Sequence, residues 1–297
     1  ENNPEVKAAY AEFEAAMQEA PQVKSLPDPT LTMTAFGSMV ETRLGPQEAR
    51  FSLMQMFPWW GTLEAREDVA NLMAEAKFQA FLNTRNELFL EVSRQYYELY
   101  ALEQKLNYQQ ENLGILQNYK DLALSRVSAG SGALSDVLQA DLIRNESVTG
   151  LDILRLKKQS LLVQFNALLN RHRTETVILP QEIETGAKNA ILDIPVSGNP
   201  RLAELERMEA SAKARERLAQ KEALPNVGLG VDYVIIGERM DMAVEGSGRD
   251  AIMPMLSVSL PIFRGKYKAA KKQAALMAES YEQRRIGLEN QLSAEME

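Results

Sequence analysis

The chain has 297 residues, with 33 Lys and Arg against 41 Asp and Glu, and its formal charge of −8 excludes general electrostatic affinity for nucleic acid unless a local basic patch exists. None is visible along the sequence, and the absence of cysteine excludes disulfides, thiolate metal sites and cysteine nucleophiles together. No segment approaches the ~20 apolar residues of a membrane helix, so a bilayer could be crossed only by strands. Glu1 to Pro4 does not read as a secretory signal, and an exported form would be numbered here from after its cleavage site.

Residues 1–25 read as a short helix. Asn3 can cap it while Pro4 takes the first helical position, where its missing N–H costs nothing. Leu26-Pro27 ends that helix, and 26–61 reads as a strand pair. Leu31, Met33 and Ala35 alternate with Thr32 and Thr34, a period of two. Phe51 and Leu53 begin a second run that turns irregular at Met54-Gln55-Met56-Phe57, and Gly45-Pro46 has the chemistry of the intervening loop. Trp59 and Trp60, between Pro58 and Gly61, suit a membrane-interface girdle or a plain packed turn.

Between Thr62 and Val127 there is no proline and a single glycine, Gly114, which predicts one helix of about 65 residues, roughly 95 Å long. Such a helix needs lateral partners along its length. Leu82, Phe89, Val92, Tyr96, Leu99, Leu106 and Leu113 form a heptad-like seam, interrupted by Arg85, Glu103 and Gln110. Phe81, Leu88, Leu102 and Leu116 form a second row beside it. Two rows allow contact on both flanks, as a closed ring of helices around a lumen requires.

The whole of 62–172 reads as a long helical hairpin. Its reversal is Val127-Ser128-Ala129-Gly130-Ser131-Gly132-Ala133-Leu134, and Ser135 is available to cap the return helix. Leu151, Leu154, Leu161, Phe165 and Leu168 give that helix an apolar face to about Asn170. The small-residue tip is either a connector or a docking knob that lets a partner approach closely. His172, the one histidine, lacks the companions of a metal site and reads as the mark of a helix end, where a cation favours the dipole. Residues 173–198 read as a linker.

A second copy of the pattern follows. Asn199-Pro200 opens a helix over 199–223, and Leu224-Pro225 leads into a strand pair over 224–265. Val227, Leu229, Val231, Tyr233 and Ile235 are apolar at odd positions against Gly228, Gly230 and Asp232, and Leu256, Val258 and Leu260 alternate with Ser257 and Ser259. The loop between these strands spans Gly237 to Gly248. In 266–297 another long helix begins, where Leu276-Met277-Ala278-Glu279 repeats Leu72-Met73-Ala74-Glu75 and Ala269 and Ala274 repeat Ala65 and Ala70. Features recurring in one order mark a duplication. Glu297 corresponds to Ser93 of the first copy, so the sequence is expected to be a fragment whose second long helix and return continue beyond it.

Four strands with one apolar face suit half of a sandwich, or a membrane barrel if several protomers pool them, because open edges are not tolerated in lipid. The thirteen methionines, among them Met240/Met242 and Met253/Met255, leave a soft-metal path open beside ordinary packing. Gly228 and Gly230 lie in a strand rather than before a helix, so no phosphate loop is expected. No catalytic constellation stands out, and neither an enzyme nor a cofactor is expected.

This order of elements resembles the outer-membrane efflux family typified by TolC. The matching stretches are Leu26-Pro27-Asp28-Pro29-Thr30-Leu31, Pro58-Trp59-Trp60-Gly61, the tip from Ala129-Gly130-Ser131-Gly132 through Asp136-Val137-Leu138-Gln139-Ala140, and Leu168-Leu169-Asn170 followed by Leu179-Pro180. The resemblance implies a mainly α member of the α+β class, built as a homotrimer. Each protomer would give four strands (26–61 and 224–265) to a shared 12-stranded transmembrane barrel in outer-membrane lipid. Its hairpin 62–172 and the truncated helix 266–297 would go to a periplasmic helical tunnel, with 173–198 as an equatorial linker. The implied partners are a periplasmic adaptor, contacted through Arg126, Val127, Ser128, Ala129, Gly130, Leu134 and Ser135, and an inner-membrane transporter. Asp136 and Asp141 are the candidate gate residues, and an acidic bias would favour cations. The rival is a soluble periplasmic coiled-coil adaptor or scaffold, which would usually carry one hairpin flanked by lipoyl-like and barrel halves.

Overall fold

The structure, a computed structural model, describes residues 2–183 and 198–296. Among them the elements run α1 (Pro4–Lys24), β1 (Thr30–Thr42), β2 (Gly45–Phe57), α2 (Thr62–Ser128), α3 (Leu134–Leu168), α4 (Pro200–Glu222), β3 (Asn226–Ile236), β4 (Ala251–Ser259) and α5 (Gly265–Met296). The chain forms two compact units, one of Glu1–Ala9 with Leu82–Asp193, the other of Tyr10–Phe81 with Ile194–Glu297. Most of the linker expected over 173–198 lies outside the described residues.

The first unit is an antiparallel helical hairpin of α2, from Leu82 onward, and α3. Its core joins Leu99 and Leu102 to Leu161 and Phe165, with Val92, Tyr96, Leu154, Leu162 and the later Val177 and Leu179 packed around them. Val92, Tyr96 and Leu99 come from one expected row of α2 and Leu102 from the other, so the two rows merge into a single stripe on α3. Phe89, expected in the seam, is 76% exposed. The hairpin is also bridged by Lys120–Asp141, Lys157–Glu98 and Lys158–Glu103 ion pairs and by Gln109 Nε2 donating to Ser147 Oγ.

Two expected helix ends are corrected. Ser135 is not the cap of α3: Ala133 occupies that position without a side-chain hydrogen bond, and Ser135 lies inside the first turn. Nor does His172 close α3. Asn170 does so in the left-handed conformation (φ 53°), so that its N–H reaches Ala167 O and the next N–H, of Arg171, reaches Asn166 O. Asn tolerates this geometry where most residues do not. His172 instead pairs its Nδ1 with Thr174 Oγ1 at 2.9 Å.

The second unit combines a sheet with a bundle of α1 from Tyr10 onward, the start of α2, α4 and α5. Asn3 and Asn199 both act as N-caps, accepting from Glu5 N–H at 2.8 Å and Arg201 N–H at 2.9 Å, ahead of Pro4 and Pro200. The repeated alanines explain themselves here. Ala70 and Ala74 of α2, and Ala274 and Ala278 of α5, are all buried, because only a small side chain lets neighbouring helices pack this closely. Ser211 of α4 donates to Val69 O, a contact that needs the same close approach. Tyr10 and Phe13 of α1 pack on Phe81 and Phe78 of α2.

The four strands make one antiparallel sheet in the order β1-β2-β3-β4. The irregular run is a regular strand: β2 continues through Met54-Gln55-Met56-Phe57 and pairs on both sides. The first turn is also two residues earlier than expected, at Arg43-Leu44, with Gly45-Pro46 already opening β2.

Candidate functional site: a two-faced sheet and a hairpin tip

Pairing registers assign every strand residue to a face, since directly opposed residues of an antiparallel pair point the same way. One face carries the rows Leu31, Leu53, Val231, Pro254 and Met33, Phe51, Tyr233, Ile252, with Leu229 and Leu256 in the next row. Leu31, Met33, Leu53, Val231, Tyr233, Ile252 and Leu256 of this apolar face are all exposed. The opposite face carries Thr32, Ser52, Asp232, Met253, then Thr30, Met54, Gly230, Met255, then Thr34, Arg50, Val234, Ala251. It mixes small and polar residues with methionines and Val234, and Arg50 Nε lies 3.9 Å from Asp232 Oδ2. Apolar residues toward the surroundings and polar ones on the reverse is the alternation of a strand that faces lipid on one side and water on the other.

The connecting loops are tied together. Gly237 N–H donates to Pro46 O at 2.8 Å and Gly248 N–H to Leu44 O at 2.9 Å, while Arg239 Nη1 reaches Thr42 O and its other nitrogens bind Asp241. Gly45 (φ +139°) sits so near that a Cβ on it would lie 1.9 Å from Gly237 O. A side chain there would push the two loops apart. At the other end of β2, Trp60 is 89% exposed and Trp59 about half as much, beside a backbone turn in which Thr62 N–H donates to Trp59 O.

In the hairpin unit, the tip is held by backbone rather than by side-chain packing. Gly130 takes φ +68°, Gly130 N–H donates to Val127 O and Ser131 N–H to Arg126 O, and a Cβ on Gly132 would meet Arg126 Cβ at 2.9 Å. Arg126, Ser128, Ala129, Gly130, Leu134 and Ser135 are exposed, and Val127 is half-buried. Among these, Leu134 stands out as a large apolar side chain left in water at the start of α3.

The two gate candidates are not alike. Asp136 is exposed in the first turn of α3, whereas Asp141 is bound by Lys120 of α2. That hydrogen bond holds the Asp141 carboxyl below its usual range, so its contribution to stability is present above the unfolded value near 3.8 and is lost as pH falls through the lower folded value. Asp141→Asn should therefore lower neutral-pH melting slightly, leave melting in strong acid level with the parent's, and so flatten the acid limb. Thermal melts of both proteins from pH 3 to 7 check this.

One set of residues escaped the sequence reading. Leu90, Tyr97, Tyr108, Ile115, Tyr119 and Leu122 of α2 are exposed and recur at spacings of seven, eleven, seven, four and three. They form a helical stripe that α3 leaves uncovered. A count of eleven-residue as well as seven-residue steps would have found it.

Residues 1–145 match the model of the family described as outer membrane efflux protein. That stretch, just under half of the chain, resembles outer membrane efflux proteins. The fold carries the likeness along nearly the whole chain. It superposes on the outer membrane protein VceC of Vibrio cholerae with a TM-score of 0.76 at 19% identity, covering 98% of this chain and 73% of that one. CusC, solved in work on transmembrane channel formation, gives 0.76 at 14% identity over 97% and 71%. The open state of the MtrE outer membrane channel of Neisseria gonorrhoeae gives 0.70 at 15% identity over 98% and 67%. No curated protein matches by sequence.

Proposed function

We propose that the chain is one protomer's share of a trimeric, passive exit duct of a tripartite efflux or secretion system. The sheet carries this reading: an exposed apolar face, a polar reverse face, and β1 and β4 left with one open edge each. Bare edges are not stable in lipid, and three copies joined β4 to β1 give a closed barrel of 12 strands. The uncovered stripe on α2 supplies the lateral contacts a ring of helices needs, and the helices extend into the periplasm. Asp136 remains the better gate candidate because Asp141 is spent on Lys120.

The deciding experiment uses the full-length protein containing this sequence. The expected result is a detergent-requiring, heat-modifiable trimer that conducts ions in a planar bilayer. A monomer that is soluble without detergent and does not conduct would overturn the proposal.

The tip, Arg126 to Ser135, is the surface we assign to the periplasmic adaptor, which in turn connects to the inner-membrane transporter. Leu134→Asp tests it cleanly, because an acidic residue in the first turn of a helix is favoured by about 0.3–1 kcal/mol. The variant should melt no lower than the parent and yet capture adaptor at least about tenfold less well, a difference of ~1.4 kcal/mol in binding. Unchanged capture in a quantitative pull-down would remove the tip from the interface.

A further inference from the structure

The polar face of the sheet holds an arrangement that the duct reading does not use. Gly228 and Gly230 of β3 lie beneath methionine side chains of β2. A Cβ on Gly228 would sit 2.6 Å from Met56 Sδ and 3.1 Å from Met54 Sδ, and one on Gly230 would sit 3.1 Å from Met54 Sδ. Both thioethers therefore lean across the strand pair and converge over the space that two missing side chains leave open. On the next strand Met255 is opposite Gly230 and Met253 opposite Asp232, so four methionines share this face. Asp232 is 5% exposed, and its Oδ1 has no hydrogen-bond partner although it is buried. An orphaned buried carboxylate oxygen is costly unless something positive meets it.

The donor set is selective. Thioethers are soft ligands that favour Cu(I) and Ag(I), whereas hard divalent cations require several oxygens. Arg50, 3.9 Å from the other oxygen of Asp232, offsets that carboxylate's charge, which further disfavours a hard divalent ion. Thioethers also need no deprotonation, so such a site stays competent in acid. We propose that the inner face of the sheet carries a binding site for a soft monovalent cation, Cu(I) or Ag(I), with Met54 and Met56 as paired ligands, Met255 opposite Gly230 completing the set, and the Asp232 carboxylate in the next row lending negative charge. Access from a water-filled lumen rests on the duct reading, while the binding chemistry does not.

Silver nitrate, titrated into the purified detergent-solubilised protein in chloride-free buffer, provides the test by calorimetry and X-ray absorption. Met54→Leu with Met56→Leu should lower silver affinity at least about tenfold and remove the silver–sulfur scattering. Met253→Leu with Met255→Leu, on the exposed edge strand, should also weaken binding, and it keeps the test informative if the first pair misfolds. Met240→Leu with Met242→Leu, in the exposed loop, should change nothing. Unaltered silver affinity in both strand pairs, or an equal loss in the loop pair, would overturn the site and leave the methionines as filling above two glycines. Silver binding without bilayer conductance would overturn the duct and leave the site standing.

Discussion

Val231→Arg is expected to prevent stable assembly in the outer membrane, whereas Thr32→Lys is expected to be tolerated. Val231 is the central residue of β3, lies on the exposed apolar face and is itself 40% exposed. If that face meets lipid, the centre of the strand lies near the bilayer midplane, where an arginine costs about 2–4 kcal/mol. A trimer would carry that cost in each protomer. Thr32 lies on the opposite face, in the row with Ser52 and Asp232, where a lysine enters water and affects selectivity rather than stability. Heat-modifiable trimer in outer-membrane fractions is the readout. Normal assembly of Val231→Arg together with failure of Thr32→Lys would show that the faces are assigned the wrong way round.

Phe165→Ala is expected to be the most destabilising single change in the hairpin unit. Phe165 is 5% exposed, belongs to the cluster with Leu99, Leu102 and Leu161, and packs its ring near Tyr96. Emptying such a site typically costs about 3–5 kcal/mol, combining lost transfer energy with an unfilled cavity. Leu99→Ala, at the other side of the cluster, should cost about 2–5 kcal/mol and should not add fully to Phe165→Ala because the two share partners. Phe89→Ala provides the contrast: the side chain is exposed, and the change should stay within about 0.5 kcal/mol. Denaturant midpoints of the three variants would check the ranking, and a Phe89 effect as large as that of Phe165 would sink the assignment of the core.

Much of the architecture is legible because it depends on local rules. A 67-residue helix announces itself through the absence of proline. The paired Asn-Pro starts do so through capping chemistry, and the buried alanines through their literal recurrence. Other features depend on what lies elsewhere in the chain. Met54 and Met56 interrupt the alternation of β2 where they lie over glycines more than 170 residues away in the chain. Local pattern carries no sign of that. Likewise a long helix bears apolar residues on several sides, and periodicity alone does not say that α3 takes Leu99 and Leu102 while Tyr97 and Tyr108 stay uncovered. The cap at Ala133 was missed because no side chain performs it. For the candidate site, residue types at the tip were readable, but the engagement of Asp141 by Lys120 needed the fold.

The pairing of β2 with β3 has a consequence for how such a gene can change. Because the central seam of the sheet joins one repeat to the other, and their loops meet backbone to backbone at Gly45 and Gly237, neither copy is an exchangeable module. A hairpin imported from a distant homologue would have to match this register and this close approach simultaneously, and splitting the gene between the repeats would leave each product with two bare strand edges. The fused arrangement is in that sense self-locking: after duplication the halves were free to diverge on their surfaces but obliged to change together along the seam.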